Sequence, residues 1–471
     1  MGPNTMGPNW KSIACILILA VALVASVSGE DWDEGDWDSD GWDDNGWDTD
    51  SWGAGDAGWD DDASWAGDGW DDNGWDTDSW GAGDGWGGAA PAGLDLSGYL
   101  ETTGLTVLPR NPRRDEADLG LQTLLRVRGR FEPDSFLSVT VETEFLDRRG
   151  AADPGAGGAG GPGAPGSRQI YFDYLYGSAA FGPVDLRVGR QPLAWGTAYA
   201  LNPTDLMNPV TVAGLAGVEP PGITAISSSV TLGERMGLEG YLGFEDRSRH
   251  PAALEGLSRL EKLPWGVRGR AFLGMWDLGI GLARSAERDV AGESAAAIRT
   301  EDYVVAEVVG SIGPVLLYGE AAIEAGTGDW HVSRSVDGAA GAQWDPLERL
   351  SLQAEYHRRG RGSTDVEDYA LEDRLARRLV GRDYLVGIVT LSMMEEDLRL
   401  IAASLINLND GSAAVLPELT YRVTDDFQTS LGGSWPLGPR GSEFDGRLQA
   451  GDAEEIDLGR PRVFLRATWY F

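Results

Sequence analysis

The side chains able to do chemistry in this chain are arginines and carboxylates set at every second position. Arg126, Arg128 and Arg130 alternate with Leu125, Val127 and Phe131. Glu142 and Glu144 share a row with Ser138 and Thr140, against Leu137, Val139, Val141 and Phe145. Arg268 and Arg270 oppose Val267, Ala271 and Leu273. Further on, Gln353, Glu355 and His357 oppose Leu350, Leu352 and Ala354, and Glu418, Thr420 and Arg422 oppose Val415, Leu419 and Tyr421. A two-residue period is that of a strand with unlike faces. Rows of this kind can hold water, counter-ions and polar solutes by electrostatics. They do not make a catalytic centre. His250, His331 and His357 are the only histidines, and no short motif sets a serine or aspartate partner beside any of them. No haem-attachment, phosphate-loop or zinc-protease motif occurs, so neither enzyme activity nor a resident cofactor is expected.

The elements that must carry these rows are strands with one apolar and one charged face. A charge on a lipid-facing position costs about 2–4 kcal/mol at mid-depth. If the apolar face meets lipid, the charged rows must line a lumen, and only a closed barrel satisfies the backbone there. The expected class is therefore all-β: a single transmembrane antiparallel β-barrel of about 18 strands. Candidate strands start near 94–108, 117–131, 135–148, 168–181, 184–194, 223–234, 236–246, 264–275 and 277–286. They continue near 300–311, 315–325, 332–343, 349–358, 382–394, 396–407, 413–423, 427–436 and 461–471.

The connections alternate short and long. Glu132-Pro133-Asp134, Gly182-Pro183, Gly233-Glu234-Arg235, Ile312-Gly313-Pro314 and Thr424-Asp425-Asp426 read as tight turns. Between them lie Arg149 to Ser167, Gly196 to Gly222, Arg247 to Leu263, Arg359 to Gly381 and Pro436 to Arg460. Membrane barrels place short turns on the periplasmic side and long loops outside. Eighteen strands leave room for an aqueous channel. The inward residues are of mixed sign: Arg187 joins the arginines above, and Asp173 and Glu320 join the carboxylates.

The last segment, Arg462 to Phe471 (RVFLRATWYF), puts Val463, Leu465, Ala467, Trp469 and Phe471 on one face. It resembles the C-terminal strand of bacterial outer-membrane barrels. That resemblance implies an outer-membrane location, contact with outer-membrane lipid, and recognition of Trp469 and Phe471 by the barrel-insertion machinery.

Two regions precede the barrel, which is expected over 93–471. Residues 1–29 read as a secretory signal: Lys11, then the apolar run Ile13 to Val27, then Ser28 and Gly29. The one cysteine, Cys15, falls inside it, so no disulfide framework is available to the mature chain. Residues 30–92 hold 21 acids, no Lys or Arg, and 11 of the 19 tryptophans. Gly41 to Asp56 returns residue for residue as Gly69 to Asp84. A five-residue tryptophan period fits neither helix nor strand, and the charge density resists collapse, so this is read as a disordered periplasmic extension. Asp36, Asp38 and Asp40 before Gly41 copy the start of a calcium loop, but the closing glutamate position is Trp47. Solvated spacer, divalent-cation binding and docking of a periplasmic partner all remain open for it. The net charge of -37 disfavours nucleic acid as a partner.

One stretch is more specific. Arg187-x-Gly189-Arg190-Gln191, Trp195-Gly196, Asn202-Pro203-x-Asp205 and Asn208-Pro209 resemble a signature of porin-like outer-membrane proteins distantly similar to alginate-export barrels. The resemblance implies a loop folded into or over the pore, with Arg187, Arg190, Gln191, Trp195 and Asp205 at a constriction. It implies a passive channel for small hydrophilic solutes. Alginate-export pores are strongly basic, whereas the inward residues here are mixed. The reading from a different class is a closed docking barrel that tethers a periplasmic partner through the acidic arm. Independently of the resemblance, Ala198 to Leu201 and Val210 to Val218 are apolar for an exposed loop and better buried in a lumen.

Overall fold

The computed structural model describes residues 93–109, 117–134, 137–150, 168–208, 222–247, 261–288, 298–325, 336–369, 379–450, 454–457 and 459–471. The expected signal, the acidic repeat with Asp36, Asp38 and Asp40, and the loop segments bearing His250 and His331 lie outside the described residues.

The first nine strands are β1 (Leu94–Val107), β2 (Asp118–Asp134), β3 (Leu137–Gly150), β4 (Arg168–Phe181), β5 (Val184–Gln191), β6 (Ile223–Thr231), β7 (Met236–Gly243), β8 (Trp265–Leu273) and β9 (Trp276–Arg288). Then come β10 (Ile298–Ile312), β11 (Val315–Ala325), β12 (Val336–Leu347), β13 (Leu350–Arg358), β14 (Asp383–Met393), β15 (Leu398–Asn407), β16 (Ala413–Thr424) and β17 (Phe427–Leu437). A two-stranded hairpin, β18 (Arg447–Ala450) with β19 (Glu454–Asp457), stands apart, and β20 (Arg462–Tyr470) ends the chain.

Each strand of the main sheet pairs antiparallel with the next, and β20 lies between β17 and β1, closing an 18-stranded barrel. The chain ends are sewn into the seam: Phe471 N donates to Gly98 O at 3.0 Å and Gly98 N to Phe471 O at 2.9 Å. Position 98 admits only glycine, because a Cβ there would sit 2.3 Å from Arg126 O and 2.9 Å from the Phe471 ring.

Facing follows the alternation. Leu278, Ile280 and Leu282 are exposed on one strand, Leu465, Trp469 and Phe471 on another, and an exterior built this way suits hydrocarbon. The inward row of β20 (Arg462, Phe464, Arg466, Thr468) is buried.

Several boundaries differ from the sequence expectation, three of them at prolines. β5 stops at Gln191, not at 194, because Pro192 has no N–H for the ladder. β12 runs past the expected end at 343 and through Pro346 to Leu347, with a register shift between Trp344 and Leu347 that absorbs the proline. β2 continues through Glu132-Pro133-Asp134, again over a register shift, and Asp134 stands in register with Leu137 of β3.

Candidate functional site

Residues 195–208, the first part of the β5–β6 loop, lie inside the barrel. From Trp195 through Asn208 nearly every residue is buried, and the segment is held along the inner wall by carboxylates of β10, β11 and β13. Glu320 accepts from the backbone N–H of Thr197 (2.5 Å), Ala198 (3.1 Å) and Thr204 (3.2 Å). Glu355 accepts from Tyr199 (2.9 Å), Ala200 (3.3 Å) and Leu201 (3.2 Å). Glu307 accepts from Thr204 Oγ1 at 3.1 Å. A buried carboxylate needs compensation, and fixed N–H donors supply it. Gly196 allows the approach: its φ is +125°, and a Cβ there would stand 2.9 Å from Glu320 Oε2.

Trp195 anchors the start of this segment. Its ring meets Tyr241 edge-on at 4.8 Å, and the Arg268 guanidinium lies 4.8 Å from its centre. Arg268 also donates to Glu307 (2.8 and 2.9 Å) and to Glu239 (2.8 Å). Arg270 pairs with Asp277 and lies 3.5 Å from Glu239. Asp205 serves the loop itself: it accepts from Met207 N, Asn208 N and Asn208 Nδ2, while Asn208 Nδ2 also donates to Leu193 O. Backbone bonds from Asp205 N to Asn202 O and from Leu206 N to Thr204 O fold the segment through two tight turns.

Halfway round the eighteen-strand ring lies the second group. Arg126 pairs with Glu144, with Glu142 at 3.4 Å and with Asp173 at 3.8 Å; Arg128 reaches Glu142 at 2.7 Å. These pairs run sideways along the wall, from β2 to β3 and, for Asp173, to β4. A register shift of β4 between the partners of Glu142 and Thr143 adds Asp173 to this side, with Tyr171 bonded to Glu144 and Tyr174 beneath Arg128. Glu142 and Glu144 are 1% and 3% exposed, with Arg126, Arg128 and Tyr171 packed against their carboxylates. Carboxylate oxygens of Glu142, Glu144 and Asp173 come within 4.8 Å of one another, but the Arg126 guanidinium already pairs with all three.

The remaining sequence candidates scatter. Arg130 pairs with Glu132 at 2.8 Å near the turn end. Arg187 lies in register with Ser178 and Ser227. Arg190 reaches Glu245 at 3.0 Å. Gln191, fully buried, donates to Ala225 O at 2.8 Å and accepts from Ser227 at 2.6 Å, tying the end of β5 to β6. The structure thus joins Trp195 to Arg268, and Arg126 and Arg128 to Glu142 and Glu144, and leaves Arg130, Arg187 and Arg190 outside both groups.

The holding roles of Glu307, Glu320 and Glu355 were missed, although Glu320 and Glu355 were read as inward. A signal existed. Glu355 stands in register with Gly341 and Val386, and Glu320 with Ala339 and Glu307. Neither carboxylate has a cation directly opposite it on a neighbouring strand, and both take donors from the loop instead.

No family model matches the chain and no curated protein matches it. Among solved structures it is similar to a triple mutant of the Rhodopseudomonas blastica porin, at 10% identity and TM-score 0.40, over 80% of this chain and 100% of that one. It is also similar to Acinetobacter baumannii OccAB3, at 10% identity and TM-score 0.47 over 80% and 99%. A third is OmpTdeltaL8, a loop-deletion mutant of a Vibrio cholerae outer membrane protein, at 10% identity and TM-score 0.37 over 80% and 99%.

Proposed function

We propose that this chain is an outer-membrane channel for passive diffusion of small hydrophilic solutes. The observation that carries the reading is the β5–β6 loop, laid along the inner wall by Glu320 and Glu355 opposite a wall of laterally paired charges. A loop held by six backbone N–H bonds narrows a barrel at a fixed place. Charges neutralised by their lateral neighbours present polarity to a solute without a strong field of either sign. The mixed sign of the wall does not suit an alginate-like polyanion.

In this reading residues 1–29 are removed on export and 30–92 form a periplasmic arm, whose aspartates are open to divalent cations or a periplasmic partner. The aromatic end of β20 is what the insertion machinery reads. The test is planar-bilayer conductance of the purified mature barrel in salts of unequal ion mobility. Discrete unitary currents are expected, with a reversal potential near that of a weakly selective pore. Silence from a folded, heat-modifiable barrel would overturn the channel. A second reading, a closed docking barrel, is favoured by one observation: the loop tip at Ala200 and Leu201 shares an apolar cluster with Leu379 and Phe444 of two other long loops.

A further inference from the structure

One sector of the inner wall is unlike the rest. Where β2, β3 and β8 turn arginine and glutamate inward, β14, β15, β16, β20 and β1 turn in a patch of Val386 and Ile388, Leu405, Leu416, Phe464 and Leu105, with the Glu101–Arg466–Glu418 pairs further along the last three strands. An apolar strip inside a barrel that otherwise carries charge is stable only when covered. Two side chains are common to both of its clusters: Ile388 of the wall itself and Phe444, which comes from the loop between β17 and β18.

That loop is held at its neighbouring residue. The Glu443 carboxylate accepts from Val380 N (2.9 Å), from Tyr384 Oη (2.8 and 3.0 Å) and from Asn407 Nδ2 (2.7 Å). Its backbone N–H donates to Asp410 Oδ2 at 2.8 Å, and Phe444 N donates to Ser412 Oγ at 3.3 Å. Tyr369 closes the circle, donating to Asp410 at 3.3 Å and accepting from Asn407 at 2.9 Å. The Glu443 side chain therefore gathers the β13–β14 loop and two strand ends, and the backbone N–H groups of Glu443 and Phe444 add the β15–β16 loop. Residues 438–446 are otherwise a self-contained turn: Ser442 N and Oγ donate to Pro439 O, and Gly441 N donates to Asp445.

We propose that residues 438–446 form a gate distinct from the β5–β6 loop, with Phe444 seated on the apolar strip of the inner wall and the Glu443 junction holding it there. This rests on the channel reading. The seat is apolar and non-directional, whereas the holding contacts converge on one carboxylate. Loss of that junction frees a nine-residue turn whose own hydrogen bonds stay intact, and Phe444 leaves the strip as a unit.

Burial pushes the Glu443 carboxyl above the usual carboxylate range, against the three donors that hold it down. The groups facing it are Tyr369, Tyr384, Asp410 and Arg359, with Asp445 and its partner Arg447 in the same turn and His357 beside Tyr384. The seated state thus binds the proton more tightly than the released one. Protons favour seating, and the preference is lost as pH rises through the raised value.

The experiment is single-channel recording of the mature protein, Phe444→Ala, Phe444→Leu and Glu443→Gln, with Glu320→Gln as a change at the other loop. Phe444→Ala is expected to raise the open fraction several-fold, and Phe444→Leu to restore the unmodified value. The unmodified closed fraction should fall as pH rises from acid to neutral, and Glu443→Gln should abolish that dependence. If current flows and neither Phe444→Ala nor pH alters gating, the gate is overturned and the channel stands. If no variant passes current although all are heat-modifiable, the channel reading falls and the gate with it. Should the substitutions prevent folding, the pH dependence of the unmodified protein decides alone: a closed fraction that is flat or rises with pH overturns the gate.

Discussion

At the scale of single residues, Arg126 is the most exposed to test. It stands among three carboxylates on two strands, Glu142, Glu144 and Asp173. Removing one partner of a buried pair costs about 3–5 kcal/mol because the other charge is left behind. Arg126→Ala should therefore lower the temperature at which the barrel loses its heat-modifiable mobility on gels. In surviving channels the uncompensated acids should shift the reversal potential towards cation preference. Glu355→Ala acts differently. It leaves three loop N–H groups without their acceptor, so the tip at Leu201 loosens. Larger and noisier unitary currents are expected in bilayers, with little change in ion preference. Equal conductance in both would mean that the loop does not border the path.

At the scale of elements, β20 decides closure. Nine register pairs join it to β1 and eight to β17, and Arg466 lies inside the seam, 3.6 Å from Glu101 and 3.2 Å from Glu418. Gly98→Val should break the seam where Phe471 returns to β1, since the added atoms meet Arg126 O and the Phe471 ring. The expected result is a sharp loss of folded barrel in refolding into detergent, while a valine at exposed Gly182, where a Cβ meets nothing within 4 Å, is limited to the strain of its φ of +65°. Equal yields would place closure elsewhere. The elements themselves were largely legible beforehand, because each strand announces itself through its own alternation and its own turn. Legibility failed where a partner strand sets the outcome. The extra residue of β4 at Asp173 is visible only against β3, and Pro346 stays within β12 only because the ladder with β13 shifts around it.

At the scale of the whole molecule, the barrel and the acidic arm are proposed to act separately. A protein lacking residues 30–92 should keep the conductance of the full mature chain. If its current is lost or altered, the arm belongs to the channel and not to a periplasmic task. The sequence by itself determined the closed antiparallel barrel, its strand number and which face of each strand turns inward. These follow from a period of two and from short connections alternating with long ones, both of which are local properties of the chain. Only the tertiary structure decided what the inward residues do. Glu320 and Glu355 meet their N–H donors across sequence separations of 116 to 156 residues. Glu443 gathers partners that lie 36 to 63 residues away. Whether an inward carboxylate faces water, a neighbouring arginine or a folded-in loop is set by which backbone reaches it in space. No periodicity along the chain records that.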